Sequence, residues 1–364
     1  GVDRAADIGA LPSDLRGLTD SGHAVHFLPP YRSERRFALS RALGLDPREV
    51  AAQTSMELVR AVAAQRSIKH EEEIREHEEA LRITARMYAA TMAAASPGKT
   101  EAQIAAVHQA EALAEDRRQA FRPIVTVAGE VLHNENYGNT LAEGDLLLVD
   151  SGSESKRYYA SDITRTMPVS GRFTGQQRDI YEVVLDSQLQ AIAAASPEKT
   201  NKDLHLIACR AIASGLKNVG LMKGDVDEAV AAGAHALFFV HGLGHMMGLD
   251  VHDMEDLGEV WVGYDGQPKS TAFGLKSLRL ARPLEPGFVL TVEPGIYFIP
   301  QLMDLWRSEG RFTDFLNFDR LDEWRDFGGV RNEENYLITE VGARRLGTAK
   351  PKTVDEVEAI RRGD

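Results

Sequence analysis

Gly144-Asp145-Leu146-Leu147-Leu148-Val149-Asp150-Ser151-Gly152 and Gly287-Phe288-Val289-Leu290-Thr291-Val292-Glu293-Pro294-Gly295 follow one pattern, an apolar strand opened by glycine and closed six residues later by an acid. Each is followed by a second strand bearing a further acid, Asp162 in Ser161-Asp162-Ile163-Thr164 and Glu333 in Arg331-Asn332-Glu333-Glu334-Asn335. The parallel extends upstream. Ala93-Ala94-Ala95-Ser96-Pro97-Gly98-Lys99-Thr100 recurs as Ala193-Ala194-Ala195-Ser196-Pro197-Glu198-Lys199-Thr200. In both copies a helix ends before Ser-Pro and a new one starts at Thr, with Gln103 or Asp203 three residues on to complete a capping box. A repeat of this kind predicts an α+β domain of two similar halves about a pseudo-twofold axis. Helices cover a mainly antiparallel sheet, and each half brings two carboxylates to a shared centre. Between Pro300 and Phe327 the second half carries an additional loop or helical segment.

Outward from the repeat, the 364 residues fit two domains better than one. Residues 1–65 read as a truncated or abbreviated N-terminal α/β segment, with a strand over Ala24-Val25-His26-Phe27-Leu28, stopped by Pro29-Pro30, and a helical run through Leu39, Leu43 and Leu45. Residues 66–364 read as the catalytic domain. It opens on an amphipathic helix with Ile74, Leu81 and Tyr88 at heptad spacing, thickened by Ala85 and Met92; Glu71, Glu72 and Glu73 form a solvated face. The opening Gly1-Val2-Asp3-Arg4 lacks an initiator Met and a basic segment leading into an apolar run, which points to a trimmed start without a secretory leader. No stretch reaches the roughly 20 apolar residues of a membrane helix.

With 55 acidic against 42 basic residues the formal charge is -13, which repels nucleic acid and anionic lipid. Cys209, the single cysteine, follows Leu206-Ile207-Ala208 and reads as a buried thiol. One cysteine excludes an internal disulfide and agrees with a reducing, cytoplasmic setting.

An acid at the end of a Leu-Leu-Leu-Val strand sits in a partly dry place and needs a partner, by default an arginine. Four such acids converging from two halves repel one another unless multivalent cations neutralise them. His241-Gly242-Leu243-Gly244-His245 supplies imidazoles. It is not the helical zinc-protease motif, because Gly242 stands where that motif has its general-base Glu and the glycines disfavour a helix. A loop that sets one histidine on metal and the other on substrate fits. Four carboxylates and an imidazole suit Mn(II), Co(II), Fe(II) or Zn(II). Five ligands are enough for two ions about 3.5–4 Å apart.

Five motifs then stand in one order: Leu-Val-Asp150, Ser-Asp162-Ile-Thr-Arg, His241-Gly-Leu-Gly-His245, Thr-Val-Glu293-Pro-Gly and Gly329-Val-Arg331-Asn-Glu333. Over residues 66–350 the sequence resembles the pita-bread metallopeptidases, nearest in pattern to prolidase (Xaa-Pro dipeptidase) and aminopeptidase P. The resemblance implies two divalent metal ions, Mn(II) foremost, held by Asp150, Asp162, His245, Glu293 and Glu333. In it Asp150 is a bidentate ligand of one ion, Asp162 and Glu333 bridge both, and His245 and Glu293 serve the second. Glu293 doubles as proton shuttle for a hydroxide held by the metals. His133 binds substrate, His241 and His252 steady the tetrahedral intermediate, and Arg331 stands beside the last bridging acid. Arg279, in Leu275-Lys276-Ser277-Leu278-Arg279-Leu280-Ala281-Arg282, matches the prolidase arginine that clasps the carboxylate of a dipeptide.

The implied reaction is hydrolysis of the bond before proline in small peptides by a homodimeric enzyme, with dipeptides favoured. The rivals are an aminopeptidase acting on longer peptides and an inert binding protein on the same fold. Retention of all five ligands disfavours the latter, as it does metal-free, creatinase-like hydrolysis. The chain departs from the family at Asn332, where an apolar residue is usual and strand alternation points the side chain away from the metals, and in its short N-terminal segment.

Overall fold

A computed structural model describes residues 5–348 and 350–363; the opening Gly1–Arg4 stretch lies outside the described residues. Every strand pairing is antiparallel. β1 (Ile124–Thr126), β2 (Leu146–Ser151) and β3 (Ile163–Pro168) form the first ladder. The second half holds β4 (Val289–Val292), β5 (Gly295–Tyr297), β6 (Gly329–Arg331), β7 (Glu334–Thr339) and β8 (Gly342–Arg345).

Here the expected single sheet is divided. β4, β7 and β8 make one ladder, while β5 and β6 make another. Pro294, between β4 and β5, has no N–H to donate and ends the first pairing. At the matching break between β6 and β7, the Glu333 N–H crosses to Thr164 O in the first half at 3.1 Å. The second-half acids thus stand where the ladder is interrupted.

Backbone equivalence confirms the repeat. Helix Glu101–Ala114 is capped by Thr100 with Gln103, and helix Asn201–Asn218 by Thr200 with Asp203, each as a full capping box. Leu141 N donates to Lys99 O and Leu284 N to Lys199 O, while Glu101 N donates to Asn139 O and Asn201 N to Arg282 O. Helix Glu71–Ala94 covers the first ladder, burying Leu81, Tyr88 and Met92. The Tyr88 hydroxyl donates into β2 at Val149 O and also reaches Ile163 O. Glu73 departs from the solvated face read for it, since its carboxylate accepts from His70 N and from the Tyr159 hydroxyl, both at 2.8 Å. The segment after Pro300 is helical over Pro300–Ser308 and Phe318–Leu321.

The N-terminal reading needs correction in two places. Residues 24–28 form no strand and pair with none among the described residues; Phe27 O accepts from Ser55 N instead. An apolar run without a neighbouring edge has no ladder to join. The helical run ends at Leu43, because Gly44 adopts φ 69 and turns the chain, leaving Leu45 outside helix Ser33–Leu43. The expected boundary at residue 65 falls inside helix Met56–Ser67, whose Val59 and Ala63 are buried in the main core.

Gly152 sits where β2 ends beside Asp162, and a Cβ there would lie 1.6 Å from Ser161 O. A main-chain obstacle cannot rotate away. Gly152→Ala is therefore expected to lower unfolding free energy by about 3 kcal/mol, while Gly175→Ala, with open space at the first turn of helix Gly175–Ala193, gains up to about 1 kcal/mol. Denaturant midpoints of the two variants check this.

Candidate metal centre

All ten residues singled out from the sequence line one cleft of about 570 Å³: Asp150, Asp162, His245, Glu293 and Glu333, with His133, His241, His252, Arg279 and Arg331 around them. Asp150 lies on β2 and Asp162 just before β3; Glu293 follows β4 and Glu333 precedes β7. The glycine-rich loop runs along β4, with Thr291 N donating to His245 O and Glu293 N to Leu243 O. A Cβ at Gly244 would lie 2.0 Å from Thr291 O, so glycine is what permits this approach.

His245 Nε2 is 3.4 Å from Asp162 Oδ2 and 3.6 Å from Glu293 Oε1. One ligand atom each from Asp162, His245 and Glu333 lies within 4.8 Å of the other two. Asp150 finds the arginine that a strand-end acid calls for: Arg331 Nη2 donates to its Oδ2 at 2.6 Å. That takes one oxygen only. Asp150 Oδ1, Asp162 Oδ1 and Glu333 Oε1 are buried without a protein partner among the described residues. Unpaired buried carboxylate oxygens are costly, and an oxygen-rich set of this kind around one imidazole fits a hard divalent cation.

Burial, followed by the neighbouring carboxylates, pushes Asp162 and Glu333 well above the usual carboxylate range. Burial likewise raises Glu293, to about 7, against the opposing pull of His245 and Arg331. His241 is held low, at about 3, by burial and then by Arg331. Its ring is fixed at both ends, with Nδ1 2.8 Å from Gly242 O and Nε2 2.8 Å from the Tyr297 hydroxyl. His252 packs edge-on against His245, at 4.3 Å between centroids, with Nδ1 3.3 Å from Glu255. Its loop is tied down by Asp253, which takes Arg66 at 2.5 Å and Lys69 at 3.2 Å. His133 is exposed at the cleft. Arg279 gives Nη1 to both oxygens of Glu255, at 2.8 and 2.7 Å, and to Glu259 at 3.1 Å. Asn332 is fully buried and does not line the cleft.

Three supporting residues escaped the sequence reading. Tyr297 joins Arg331 to His241, accepting from Arg331 Nη1 at 2.8 Å. Thr164 accepts from Arg331 Nε and donates to Glu333 Oε2 at 2.7 Å. Thr291 accepts from His245 N and donates to Glu293 Oε1 at 3.2 Å. The signal that finds both threonines is strand alternation, since each lies two positions from a site acid and so on the same face.

Residues 75–340 match metallopeptidase family M24, and the chain belongs to that family. Divalent-metal use goes with the family, and the fold is its pita-bread fold. Aminopeptidase P of Escherichia coli, solved in complex with substrate, is 32% identical with a TM-score of 0.81, covering 100% of this chain and 76% of that one. Human Xaa-Pro dipeptidase is 42% identical over 240 residues, 64% of this chain and 46% of that protein. A probable Xaa-Pro aminopeptidase of Uncinocarpus reesii is 35% identical over 311 residues, 83% of this chain and 63% of that protein. The match thus spans about half the length of the human relative.

The carboxylate crowding has a pH signature in metal-stripped protein. An unfolded chain ionises Glu293 above its ordinary 4.5, whereas the folded chain keeps the proton up to about 7. The stability this group contributes is complete below the first value and lost as pH rises through the second, about 3 kcal/mol in all. Asp162 and Glu333 act in the same direction. A bound divalent ion favours the ionised forms and cancels the loss. The melting temperature of chelator-stripped protein is expected to fall across this window while that of metal-loaded protein does not. Parallel curves would contradict the crowding.

Proposed function

We propose that the protein hydrolyses Xaa-Pro dipeptides, using two divalent ions held by Asp150, Asp162, His245, Glu293 and Glu333. The observation that carries this reading is the set of orphaned carboxylate oxygens around His245, in the same cleft as Arg279. Asp162 and Glu333 would be shared by both ions, Asp150 would hold one of them, with Oδ1 unpartnered among the described residues and Oδ2 taken by Arg331, and His245 and Glu293 would hold the other. The hard, oxygen-rich set favours Mn(II) over Co(II), Zn(II) or Fe(II). When bound, such ions polarise a carbonyl and ionise water near neutral pH.

The chain supplies the remainder. Glu293, raised by burial toward neutrality, takes the proton of the attacking water and passes it to the prolyl nitrogen, which has no hydrogen of its own and leaves only when protonated. His252, held through Nδ1 by Glu255, serves the oxygen of the tetrahedral intermediate. His241, whose ring nitrogens are taken by Gly242 O and the Tyr297 hydroxyl, lines the same cleft and joins it there only by releasing Tyr297. Arg331 positions Asp150, and through Tyr297 it positions His241. His133 meets the substrate at the cleft mouth.

Arg279 sets the substrate length. Its three hydrogen bonds leave through Nη1 alone, so the rest of the guanidinium is available for a paired grip on a proline carboxylate. The same contacts favour a second reading, an aminopeptidase for longer peptides, since Glu255 and Glu259 already offset the charge of Arg279. Residues 66–364 as catalytic unit, residues 1–65 as accessory segment, a homodimer and a cytoplasmic setting belong to this proposal. No helix among the described residues is long and apolar enough to cross a membrane.

Chelation is expected to abolish hydrolysis and Mn(II) to restore it, with Glu333→Ala losing bound metal along with rate; two tightly held ions in that variant, counted by mass spectrometry, would remove Glu333 from the ligand set. Arg279→Met should cost Xaa-Pro dipeptides about 2 to 5 kcal/mol, roughly thirty-fold to several thousand-fold in kcat/KM. Xaa-Pro-Yaa tripeptides should be spared. A wild type that prefers tripeptides, or a variant that loses both equally, makes the aminopeptidase reading the right one.

A further inference from the structure

Behind the cleft, beyond Phe239, lie three side chains that the proposed chemistry leaves unused. His205 and Cys209 belong to helix Asn201–Asn218, and His235 to the 3-10 turn Ala234–Leu237. Phe239 separates them from the cleft, packing on His205 at 5.2 Å and on His241 at 5.0 Å between centroids. Spacing of four residues sets His205 and Cys209 on one helix face. Cys209 Sγ lies 3.4 Å from His205 Nε2, and one ligand atom from each of the three residues lies within 4.8 Å of the other two. All three side chains are buried, His235 at 3% exposure and the others at 0%.

Hydrogen bonding does not account for the cluster. Both ring nitrogens of His235 and Nδ1 of His205 have no partner among the described residues. Buried polar groups are nearly always paired, and a neutral imidazole offers both a donor and a lone pair. Burial keeps His205 neutral down to about 3 and His235 to about 4. The rings therefore present lone pairs, next to the only thiol in the chain.

We infer that His205, Cys209 and His235 form a site for one Cu(I) ion, separate from the carboxylate centre. Softness is the first argument, since thiolate with imidazole prefers a soft ion, whereas the carboxylate centre prefers a hard one. Geometry is the second. Sulfur and nitrogen ligands at ordinary metal–ligand lengths of about 2.3 and 2.0 Å lie about 3.5 to 3.7 Å apart around a shared tetrahedral or trigonal centre, near the 3.4 Å separation here.

Charge is the third and decides the ion. Cu(I) with one thiolate and two neutral imidazoles is a neutral complex, which an apolar core accepts. A divalent ion would leave a buried positive charge. The charged side chains that act on this cluster, Lys202 on His205 and Arg210 on Cys209, are cations and would add to that penalty. On binding, the Cys209 S–H bond breaks, its proton passes to solvent, and an S–Cu bond forms; copper stays Cu(I) and no electron moves.

The test is anaerobic titration of the full chain with Cu(I), supplied as its acetonitrile complex, against bicinchoninate as chromophoric competitor, followed by copper-edge X-ray absorption. The expected result is one retained Cu(I) per chain with one sulfur and two nitrogen neighbours. Cys209→Ser and His235→Asn should each weaken retention by about a hundredfold or more, with Mn(II)-dependent hydrolysis and melting temperature showing that the variants fold. Wild-type protein that retains no more copper than Cys209→Ser overturns the inference. Copper lacking a sulfur neighbour, or a thiol that takes Zn(II) in preference, also overturns it. Because Cys209 is the only cysteine, the wild-type spectrum decides the thiolate bond even if a variant fails to fold.

Discussion

Four carboxylates packed around one imidazole cannot all keep their charge in a dry cleft without a cation between them. This constraint organises the architecture around them. Asp162 is forced up in pKa by burial and then by Asp150, and Glu333 by burial and then by Asp162, and the ladders stop where the second-half acids must turn inward. A continuous sheet through Glu293 and Glu333 would alternate side chains strictly. The Pro294 break and the crossing hydrogen bond from Glu333 N to Thr164 O allow acids from separate ladders to face one centre.

Holding such a centre together requires the halves to be tied independently of any ion. Asn335 does so by bonding both the N–H and the C=O of Asp162, at 3.1 and 2.6 Å. Fully buried Arg165 reaches Glu333 O at 2.9 Å and pairs with Glu334, which also takes Lys350 at 3.4 Å. A half-satisfied network in this position would cost more than an apolar core, but here the guanidinium also bonds Thr164 O and Pro351 O. Arg331 completes the join by spanning Asp150, Tyr297 and Thr164.

The repeat was legible in the sequence because its signals are local. Glycine-opened strands, terminal acids and Thr-capped helices each leave a mark within a few residues, and the matching backbone bonds at Leu141 and Leu284 followed from them. Division of the sheet was not legible, since which ladder β6 joins depends on where β5 lies. The strand read over residues 24–28 failed for a related reason: an apolar run specifies extension, not a partner. The four acids, with His241 and His245, were read by type and spacing, and His133, His252, Arg279 and Arg331 through the family resemblance, while Tyr297 was missed because a tyrosine two residues past a Pro-Gly looks like core. Asp253, which anchors the His252 loop to Arg66 and Lys69, is a long-range pairing that no spacing rule reveals.

Charge balance bears on how many ions the carboxylate centre takes. With one divalent ion, the four acids and Arg331 leave a net negative charge in a largely buried site, and that charge would repel both an attacking hydroxide and a carbonyl oxygen gaining negative charge. With two ions, the cations outweigh the carboxylates by a single positive charge, the one contributed by Arg331. A site carrying that excess before reaction is matched to the negative charge that develops during it, because the favourable interaction grows toward the transition state and needs no reorganisation when it arrives. Arg331 itself is held between Asp150 and Tyr297 and cannot reach the substrate without releasing them. In the proposed reaction its contribution is the field of a fixed buried charge, which favours the two-ion reading without requiring a sixth ligand.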